Sequence, residues 1–506
     1  MYHIFIVIIL FLGSSLAVKT GFQARITPTG LRFLSDVGVR KLKEEISKAT
    51  IPDQSGSADV VIGTIRYSLT NIHVTRFDIP SASISTVTDV GLKVSASGLS
   101  ISLHGDWRYK LDSFIPVSDS GSFDVWISDV TLYVTIEIGV DATGRPTVYS
   151  SSNDCAFYAG RVDITLHGGA SWLYNLFDSE IADKIQDTLN HQTSFWFTFS
   201  FVIFGIYFPT VVASITDKAE IDYSLVTSPI FDVTLTTSHK GEIYQKGNHT
   251  EAPYEIPTIP SDPDQSKMVF MWMTDYVANS AGYVLQNTGF FQYNVTQDKV
   301  PPSSKISLNT SEFAVEFLIP QLAKLYPDMM MQLNLNTTQP PLVSITPDKV
   351  GATVTGDVAA YVMQPNNTLA YLFTLEASVH ALDFENNGLF WKNAEFDNQH
   401  INTDVGRENG NRVGVEGLEV GPYLVLIDIK IDKLRLKFQL ACKMFIIPKI
   451  NDMGAAGVPV PSFDKYSLQN PELTQGKGFV KIGTDMVYDP LWETRAKSRR
   501  QQQKDV

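Results

Sequence analysis

The chain contains only two cysteines, Cys155 and Cys442, among its 506 residues. Two cysteines cannot build the framework of bridges that stabilises small secreted domains, so stability has to come from buried apolar cores. An apolar content of 44% and a charged content of 19% are sufficient for such cores. Because Cys442 lies in the other half of the chain, and a bridge needs Cα atoms within about 7 Å, we expect Cys155 to be a free cysteine or to pair between molecules.

The common motifs of catalytic and nucleotide-binding sites are missing as well. The sequence has no Gly-x-Ser-x-Gly, His-Glu-x-x-His or GxGxxG pattern, no phosphate-binding loop and no Cys-x-x-Cys pair. Its nine histidines are scattered, and none stands at ligand spacing from another, so we expect no metal and no cofactor. Catalytic groups need be close only in space, which leaves a lipid-cleaving enzyme open as a third class; we expect a protein that is not an enzyme.

Positive charge is scarce. The net charge is −14, and residues 18–240 hold 17 Lys and Arg against 24 Asp and Glu. The excess of negative charge repels phosphate groups and therefore acts against tight binding of phosphate-rich partners. We expect no nucleic-acid partner.

The first 17 residues have the pattern of a secretory signal peptide. An apolar run from Ile4 to Leu12 precedes small residues, and Ser15 and Ala17 fit a cleavage site before Val18. The run is too short for a lone membrane anchor. Five glycosylation sequons agree with secretion. Their asparagines are Asn248, Asn294, Asn309, Asn336 and Asn366.

A proline-rich segment, residues 250–265, divides the chain near its middle and is called the strap below. It has prolines at 253, 257, 260 and 263, which cannot continue a helix or sit inside a sheet. We expect a semi-rigid linker between an N-terminal domain (18–249) and a C-terminal domain (266–490). A long surface loop within one domain is the alternative. Residues 491–506 read as a basic disordered tail.

The first half predicts two amphipathic helices packed on long antiparallel strands. Thr27-Pro28 is a helix start, and alternation of apolar and polar residues from Val60 to Ile138 indicates strands with polar turns at 104–113 and 141–146. The second helix is predicted within 168–194. The apolar helix faces either close an ordinary core or line an elongated lipid pocket. The candidate pocket residues are Leu31, Leu34, Leu42, Ile46, Trp172, Leu173, Leu176, Phe177, Ile181, Ile185 and Leu189.

An aromatic run follows, in which Phe195, Phe197, Phe199 and Phe201 alternate with other residues. This spacing favours a buried strand, and an exposed lipid-seeking surface is the alternative. In the second half, residues 311–326 resemble the first helix, with Pro320 as a kink or break. Strands are predicted at 331–335, 342–345, 350–362 and 370–379, loops at 383–416, and residues 424–450 fit either type.

Six stretches of the sequence resemble the secreted family of bactericidal/permeability-increasing protein and lipopolysaccharide-binding protein. They are ITPTGLRFL at 26–34, IPSASISTVTDVGLKVSASGLSI at 79–101, IGVDATGRPTVYSSSNDC at 138–155, IDYSLV at 221–226, KMVFMWMTDYVANSAGYVLQNTG at 267–289 and PPLVSITPDKVGATVTGDVAAYVMQPNNTLAYLF at 340–373. The resemblance implies an α+β fold shaped as an elongated boomerang. Two similar domains, each a long twisted antiparallel barrel with two helices, would share a central sheet and hold phospholipid in apolar pockets.

Three departures from the family pattern bear on function. The family's disulfide partner of Cys155 is absent from residues 191–194, the segment after the second helix is aromatic, and the lipopolysaccharide tip is not strongly basic. The resemblance assigns five residues to that tip, where acids also occur, so an ordinary solvated face is the alternative. They are Lys41, Lys43, Lys48, Arg108 and Lys110.

From residues and resemblance together, we expect a secreted, extracellular, monomeric lipid-binding glycoprotein of innate antibacterial defence. Its expected partners are lipopolysaccharide or lipid A, phospholipid and the bacterial outer membrane surface. The alternative is an extracellular carrier of phospholipids or neutral lipids without endotoxin specificity. The charge of the tip discriminates between these two.

Overall fold

The computed structural model describes residues 19–46, 51–60, 63–112, 114, 116–158, 160–168, 211–300, 307–312, 320–382, 395–396, 418–420, 423–425 and 466–488. These residues form three α-helices, α1 (Pro28–Ile46), α2 (Asp275–Asn287) and α3 (Pro320–Leu325), a 3-10 turn (Gln297–Lys299) and 24 strands. The strands are β1 Phe22–Ile26, β2 Gln54–Val60, β3 Gly63–Asp78, β4 Ser81–Val87, β5 Gly91–Asp112, β6 Val117–Val140, β7 Pro146–Tyr158, β8 Arg161–His167, β9 Val212–Ser214, β10 Ala219–Asp222, β11 Ile230–Phe231, β12 Leu235–His239, β13 Glu242–Gln245, β14 Val269–Thr274, β15 Tyr293–Val295, β16 Met331–Thr337, β17 Leu342–Ile345, β18 Val350–Met363, β19 Leu369–Leu382, β20 Glu395–Phe396, β21 Leu418–Val420, β22 Tyr423–Val425, β23 Tyr466–Gly476 and β24 Phe479–Tyr488.

The first half is organised around a seven-stranded antiparallel sheet in the order β2-β3-β5-β6-β7, with β4 on β5 and β8 on β6. The predicted turn at 141–146 is confirmed, since the amide of Gly144 donates to the Asp141 carbonyl at 3.0 Å. The predicted turn at 104–113 is wrong, because residues 104–112 belong to β5. Trp107 and Tyr109 are buried, and the charged residues that alternate with them, Asp106, Arg108 and Lys110, are exposed on the outer face of the sheet. Charged residues at every second position therefore indicate a strand with one solvent-exposed face.

Helix α1 begins where the sequence predicts. The Gly30 amide donates to Thr27 Oγ1 at 3.3 Å, and Pro28 occupies the first helical turn. A Cβ at Gly30 would lie 2.4 Å from the Met268 carbonyl oxygen, so glycine lets the helix start approach the strand that follows the strap. Along its length α1 packs mainly against β4.

A central six-stranded sheet, in the order β11-β12-β1-β14-β24-β23, joins the two halves. Strand β1 pairs with β14 antiparallel, with Ala24 opposite Met271. Helix α2 follows β14 as α1 follows β1, so α2, not the predicted helix at 311–326, is the counterpart of α1. Of that segment, the described part contains α3, which begins at Pro320. The strap contains no helix or strand.

The second half forms a sheet in the order β15-β16-β18-β19-β20, with β17 on β18. Its four predicted strands are confirmed as β16 to β19. The two-domain α+β fold, mostly sheet with few helices, is likewise as predicted. The signal segment, the second helix of the first half, the aromatic run, residues 426–450 and the tail lie outside the described residues, as does nearly all of 383–416. Among the helices that are described, none has the length and apolar character needed to cross a membrane.

Candidate functional site

An apolar wall forms where α1 lies on the inner face of the first-half sheet. Leu31 is 3% exposed and packs in a cluster with residues of β4, β5 and β6. Leu42 is 5% exposed and belongs to a second cluster, against which Ile46 packs. Leu34 is partly buried beside the first of these clusters. The four candidate pocket residues on α1 therefore face the sheet; the other seven, from Trp172 to Leu189, lie outside the described residues.

Within this wall, a small cavity lies between α1 and the sheet. Its volume is about 20 Å³, room for about one water molecule. The cavity is lined by Ser35, Val39, Leu42, Ile79, Ala82, Ile84, Val94, Ala96, Leu99 and Leu132. Ala82 and Ala96 are direct partners across β4 and β5, so two small side chains face each other where larger ones would fill the space. The helix stripe predicted the α1 side of this lining, whereas the alanines gave no comparable periodic signal.

The candidate tip residues on α1 have local partners. Lys43 Nζ lies 3.0 Å from Asp78 Oδ1, and this hydrogen bond holds the pKa of the Asp78 carboxyl below its usual value. Lys41 Nζ lies 5.1 Å from the ring centroid of Tyr488 in the last described strand. Lys48 lies outside the described residues.

Arg108 and Lys110 lie elsewhere, on the outer face of β5. Lys110 Nζ is 3.3 Å from Asp112 Oδ1, and Arg66 Nε on β3 is 3.1 Å from the other oxygen of Asp112. Arg66 stands directly opposite Lys110 in the strand register, a neighbour that sequence spacing could not reveal. The outer face therefore holds two cations, Arg66 and Lys110, on one shared carboxylate, and Arg108 lies on the same face two positions before Lys110.

The two basic groups are far apart. Asp78, the partner of Lys43, stands opposite Ser100 on β5. Arg108 is eight residues further along the same strand, which is about 26 Å at the usual rise per residue. The structure thus does not bring the described candidate tip residues into one cluster.

A buried ion pair lies beside the central sheet. Glu242 is fully buried, and its carboxylate accepts from Lys240 Nζ at 2.9 Å, His249 Nε2 at 3.0 Å and the Ala252 amide at 2.8 Å. Burial would raise the pKa of Glu242, but these contacts outweigh it and lower that pKa. Glu242, His249 and Glu251 have metal-ligand spacing, yet the Lys240 ammonium already bridges the two carboxylates. This group is a satisfied structural network.

The predicted glycosylation sites lie in different surroundings. The side chains of Asn248, Asn294, Asn336 and Asn366 are exposed. Asn309 is half-buried, and its Nδ2 donates to Asp328 Oδ1 at 2.8 Å. Cys155 lies on β7 opposite Val134, and Cys442 is outside the described residues, so the pairing of Cys155 stays a prediction.

Comparison with known proteins decides the family. The sequence model of the N-terminal domain of the LBP / BPI / CETP family matches residues 30–194, and that of the C-terminal domain matches residues 213–389. The chain belongs to the LBP / BPI / CETP family. The resemblance seen in the sequence is thereby confirmed.

Relatives of this LBP / BPI / CETP family member match over nearly the whole chain. A bactericidal permeability-increasing protein from Sebastes schlegelii is 33% identical over 480 residues, covering 94% of this chain and 96% of the relative. A lipopolysaccharide-binding protein from Homo sapiens is 28% identical, covering 94% and 95%. A crystal structure of lipopolysaccharide binding protein shares the fold, with a TM-score of 0.54 at 24% identity, covering 93% of this chain and 100% of the other.

Proposed function

We propose that this chain is a secreted, non-enzymatic lipid-binding protein that takes up acyl chains of bacterial lipopolysaccharide or phospholipid in innate antibacterial defence. The observation that carries the proposal is the apolar wall between α1 and the inner sheet face, with its opposed alanines Ala82 and Ala96. The printed names of the relatives, a lipopolysaccharide-binding protein and a bactericidal permeability-increasing protein, support the same class of ligand.

The enclosed space of about 20 Å³ is far smaller than a lipid site, which typically occupies about 300 Å³ or more. In this proposal the wall is one side of the site, and the predicted helix within 168–194 is the other. Acyl chains lie between them along the row of Leu42, Ala96 and Leu132. Burying this apolar surface supplies most of the affinity, at about 25 cal/mol per Å².

Lipid A phosphates would meet Arg66, Arg108 and Lys110 as a separate contact, because these cations lie on the outer face, across the sheet from the wall. Asp112 already pairs with two of these cations, so binding of phosphate there has to compete with it. We therefore expect lipid A binding that is weaker than a strongly basic tip would give and that weakens only mildly with salt.

A carrier of phospholipids or neutral lipids without endotoxin specificity is the second candidate. The pairing of Asp112 with both Arg66 and Lys110 favours it, together with the net charge of −14. A carrier needs the apolar wall but no phosphate-binding tip.

Titration of lipid A and of phosphatidylcholine in rising NaCl separates the two candidates. For the endotoxin binder, Arg108→Ala with Lys110→Ala weakens lipid A binding several-fold and leaves phosphatidylcholine binding unchanged. Lys43→Ala is the matched control, because Lys43 is paired with Asp78 some 26 Å along the sheet. Equal affinity for both lipids in every variant supports the carrier. Absence of binding to either lipid refutes the proposal.

A further inference from the structure

A row of histidines crosses the outer face of the first-half sheet, on the side opposite α1. His73 on β3 stands opposite His104 on β5, with ring centroids 5.6 Å apart. His104 in turn stands opposite Asp124 on β6, and its Nδ1 lies 2.8 Å from Asp124 Oδ1. His167 on β8 approaches the other carboxylate oxygen of Asp124, with Nε2 at 2.7 Å. Two histidines thus contact one carboxylate, and the third, His73, packs edge-on against the ring of His104.

The chemistry of Asp124 fixes what protonation does here. An ionised carboxylate can only accept hydrogen bonds, so both rings donate to it. Each ring can therefore gain a second proton on its far nitrogen without losing its bond to Asp124. The hydrogen bonds from His104 and His167 hold the pKa of Asp124 below its usual value, so this carboxylate stays charged when the rings become charged. The side chains are open to solvent, with 35% of His104 and 51% of His167 exposed.

The surrounding charges on this face nearly cancel. Strand β3 contributes Arg76 to this face. Asp53, in the segment before β2, lies beside β3, because its carboxylate accepts from the Asn71 amide. Other charged groups come from β3, β5 and β8. They are Arg66, Asp106, Arg108, Lys110, Asp112, Arg161 and Asp163. With Asp124, and with Asp59 on β2, whose carboxylate accepts from Thr64 on this face, five cations face six anions. Three histidinium ions would therefore change the net charge of the face from slightly negative to positive.

An exposed tryptophan lies in the next row of the same face. Trp126 is 58% exposed on β6, two residues after Asp124, and stands opposite Ser102 and Asp163. Tryptophan has an apolar ring with one polar N–H, and it is enriched where lipid headgroups meet acyl chains. A broad sheet face with one such ring and a switchable positive charge suits a flat anionic surface.

We propose that this outer face, defined by His73, His104, His167, Asp124 and Trp126, is an acid-triggered docking surface for anionic lipid bilayers. Histidine is the side chain whose charge ordinarily changes between about pH 5 and 8, so acid adds positive charge to this face and favours anionic headgroups. Trp126 then inserts at the headgroup level. This deepens the proposed lipid binding, on which it rests only for the class of partner, and it uses the opposite face of the sheet.

Vesicle sedimentation tests the proposal. The full chain is mixed with vesicles of phosphatidylcholine containing about one quarter phosphatidylglycerol, at about pH 7.4 and about pH 5. We expect the partition coefficient to rise at least about 10-fold in acid, and not with pure phosphatidylcholine. In the triple variant His73→Gln, His104→Gln, His167→Gln the rise is lost, whereas binding at neutral pH is unchanged. Glutamine retains an N–H donor for Asp124, and His249→Gln, outside this face, is the control.

Trp126→Ser should reduce acid binding to vesicles while leaving acid binding to heparin unchanged. The proposal is overturned by a wild-type chain without an acid-dependent rise, by an equal rise in the triple variant, or by an equal rise on pure phosphatidylcholine. Equal loss of heparin and vesicle binding in Trp126→Ser would overturn docking to a bilayer. Displacement of a fluorescent fatty acid at neutral pH reports the acyl-chain site separately. That signal must persist in the triple variant, and its absence in the wild type would refute the proposed function without touching the docking surface.

Discussion

The ammonium of Lys481 on β24 lies 2.8 Å from the carboxylate of Asp264, the second-to-last residue of the strap. This contact connects the strap to the central sheet. The same ammonium lies 2.6 Å from Asp262 Oδ2, and Arg25 on β1 donates to the backbone carbonyls of both aspartates. Beneath these cations lie the rings of Phe270 and Trp272, within about 6 Å of the charged groups. The C-terminal end of the strap is thus fixed to strands from both halves.

Lys481→Met should release this end of the strap. The substitution keeps the apolar length of the side chain but leaves Asp262 and Asp264 without their ammonium, which we expect to cost about 1–3 kcal/mol. Limited proteolysis should then cut within 250–265 several-fold faster than in the wild type. Lys477→Met is the matched control, because Lys477 is exposed in the turn before β24. Equal cleavage rates in all three proteins would mean that the pair does not hold the strap.

Acid should release the strap as well. The hydrogen bond from Lys481 holds the pKa of Asp264 below its usual value, and for Asp262 the same contact outweighs the burial that would raise its pKa. Groups with a lowered folded pKa stabilise the protein above their ordinary pKa of about 3.9, and this contribution is lost as the pH falls further. The protection factors of amides in 254–266, which correct for the slower intrinsic exchange in acid, should therefore fall only below about pH 4. A fall in protection already between about pH 7 and 5 would contradict this assignment.

Glu242→Gln should destabilise the fold. The variant keeps the size of the buried side chain but removes the charge that compensates Lys240, so we expect a loss of about 2–4 kcal/mol in the free energy of unfolding. Glu251→Gln, at an exposed carboxylate that contacts the same lysine, should cost less than about 1 kcal/mol. Urea denaturation followed by circular dichroism compares them. Similar midpoints for the two variants would show that the buried charge is not needed.

Glycan occupancy should differ between the five sequons. Attachment to Asn309 Nδ2 would place a sugar directly beside its contact with Asp328, and the next residue, Thr310, is fully buried. We expect occupancy at the exposed Asn248, Asn294, Asn336 and Asn366, and little at Asn309. Glycopeptide mass spectrometry of the secreted protein measures this, and full occupancy at Asn309 would contradict the expectation.

Local sequence patterns predicted much of the fold because their causes are local. The hydroxyl of Thr27 and the ring of Pro28 start α1 wherever the chain goes next, and two-residue alternation reports one buried face of a strand. The prediction failed at 104–113 because charged residues at alternate positions resemble a loop when their buried partners, Trp107 and Tyr109, are read with them. It also missed α2, whose equivalence to α1 depends on the pairing of β1 with β14.

Most of the candidate site depends on register, which spacing along the chain does not contain. Ala82 and Ala96 are 14 residues apart in the chain, and Arg66 and Lys110 are 44 apart; only the pairing of their strands places them opposite each other. The same holds for the strap, whose prolines predicted an extended segment but not its contacts with Arg25 and Lys481. The sequence predicted the α1 side of the site and the individual charged residues. Their neighbours across the sheet became visible only from the strand pairing.

The central claim is that acyl chains lie on the wall between α1 and the sheet, and native mass spectrometry of the secreted protein tests it most directly. We predict that the wild-type chain carries co-purified acyl lipid, and that Ala96→Phe, which fills the gap opposite Ala82, reduces the bound lipid several-fold. Ala213→Phe, in the separate sheet of β9, β10 and β13, is the control for an enlarged side chain elsewhere. A wild-type chain without lipid, or an Ala96→Phe variant that is folded and carries as much lipid as the wild type, would contradict the account.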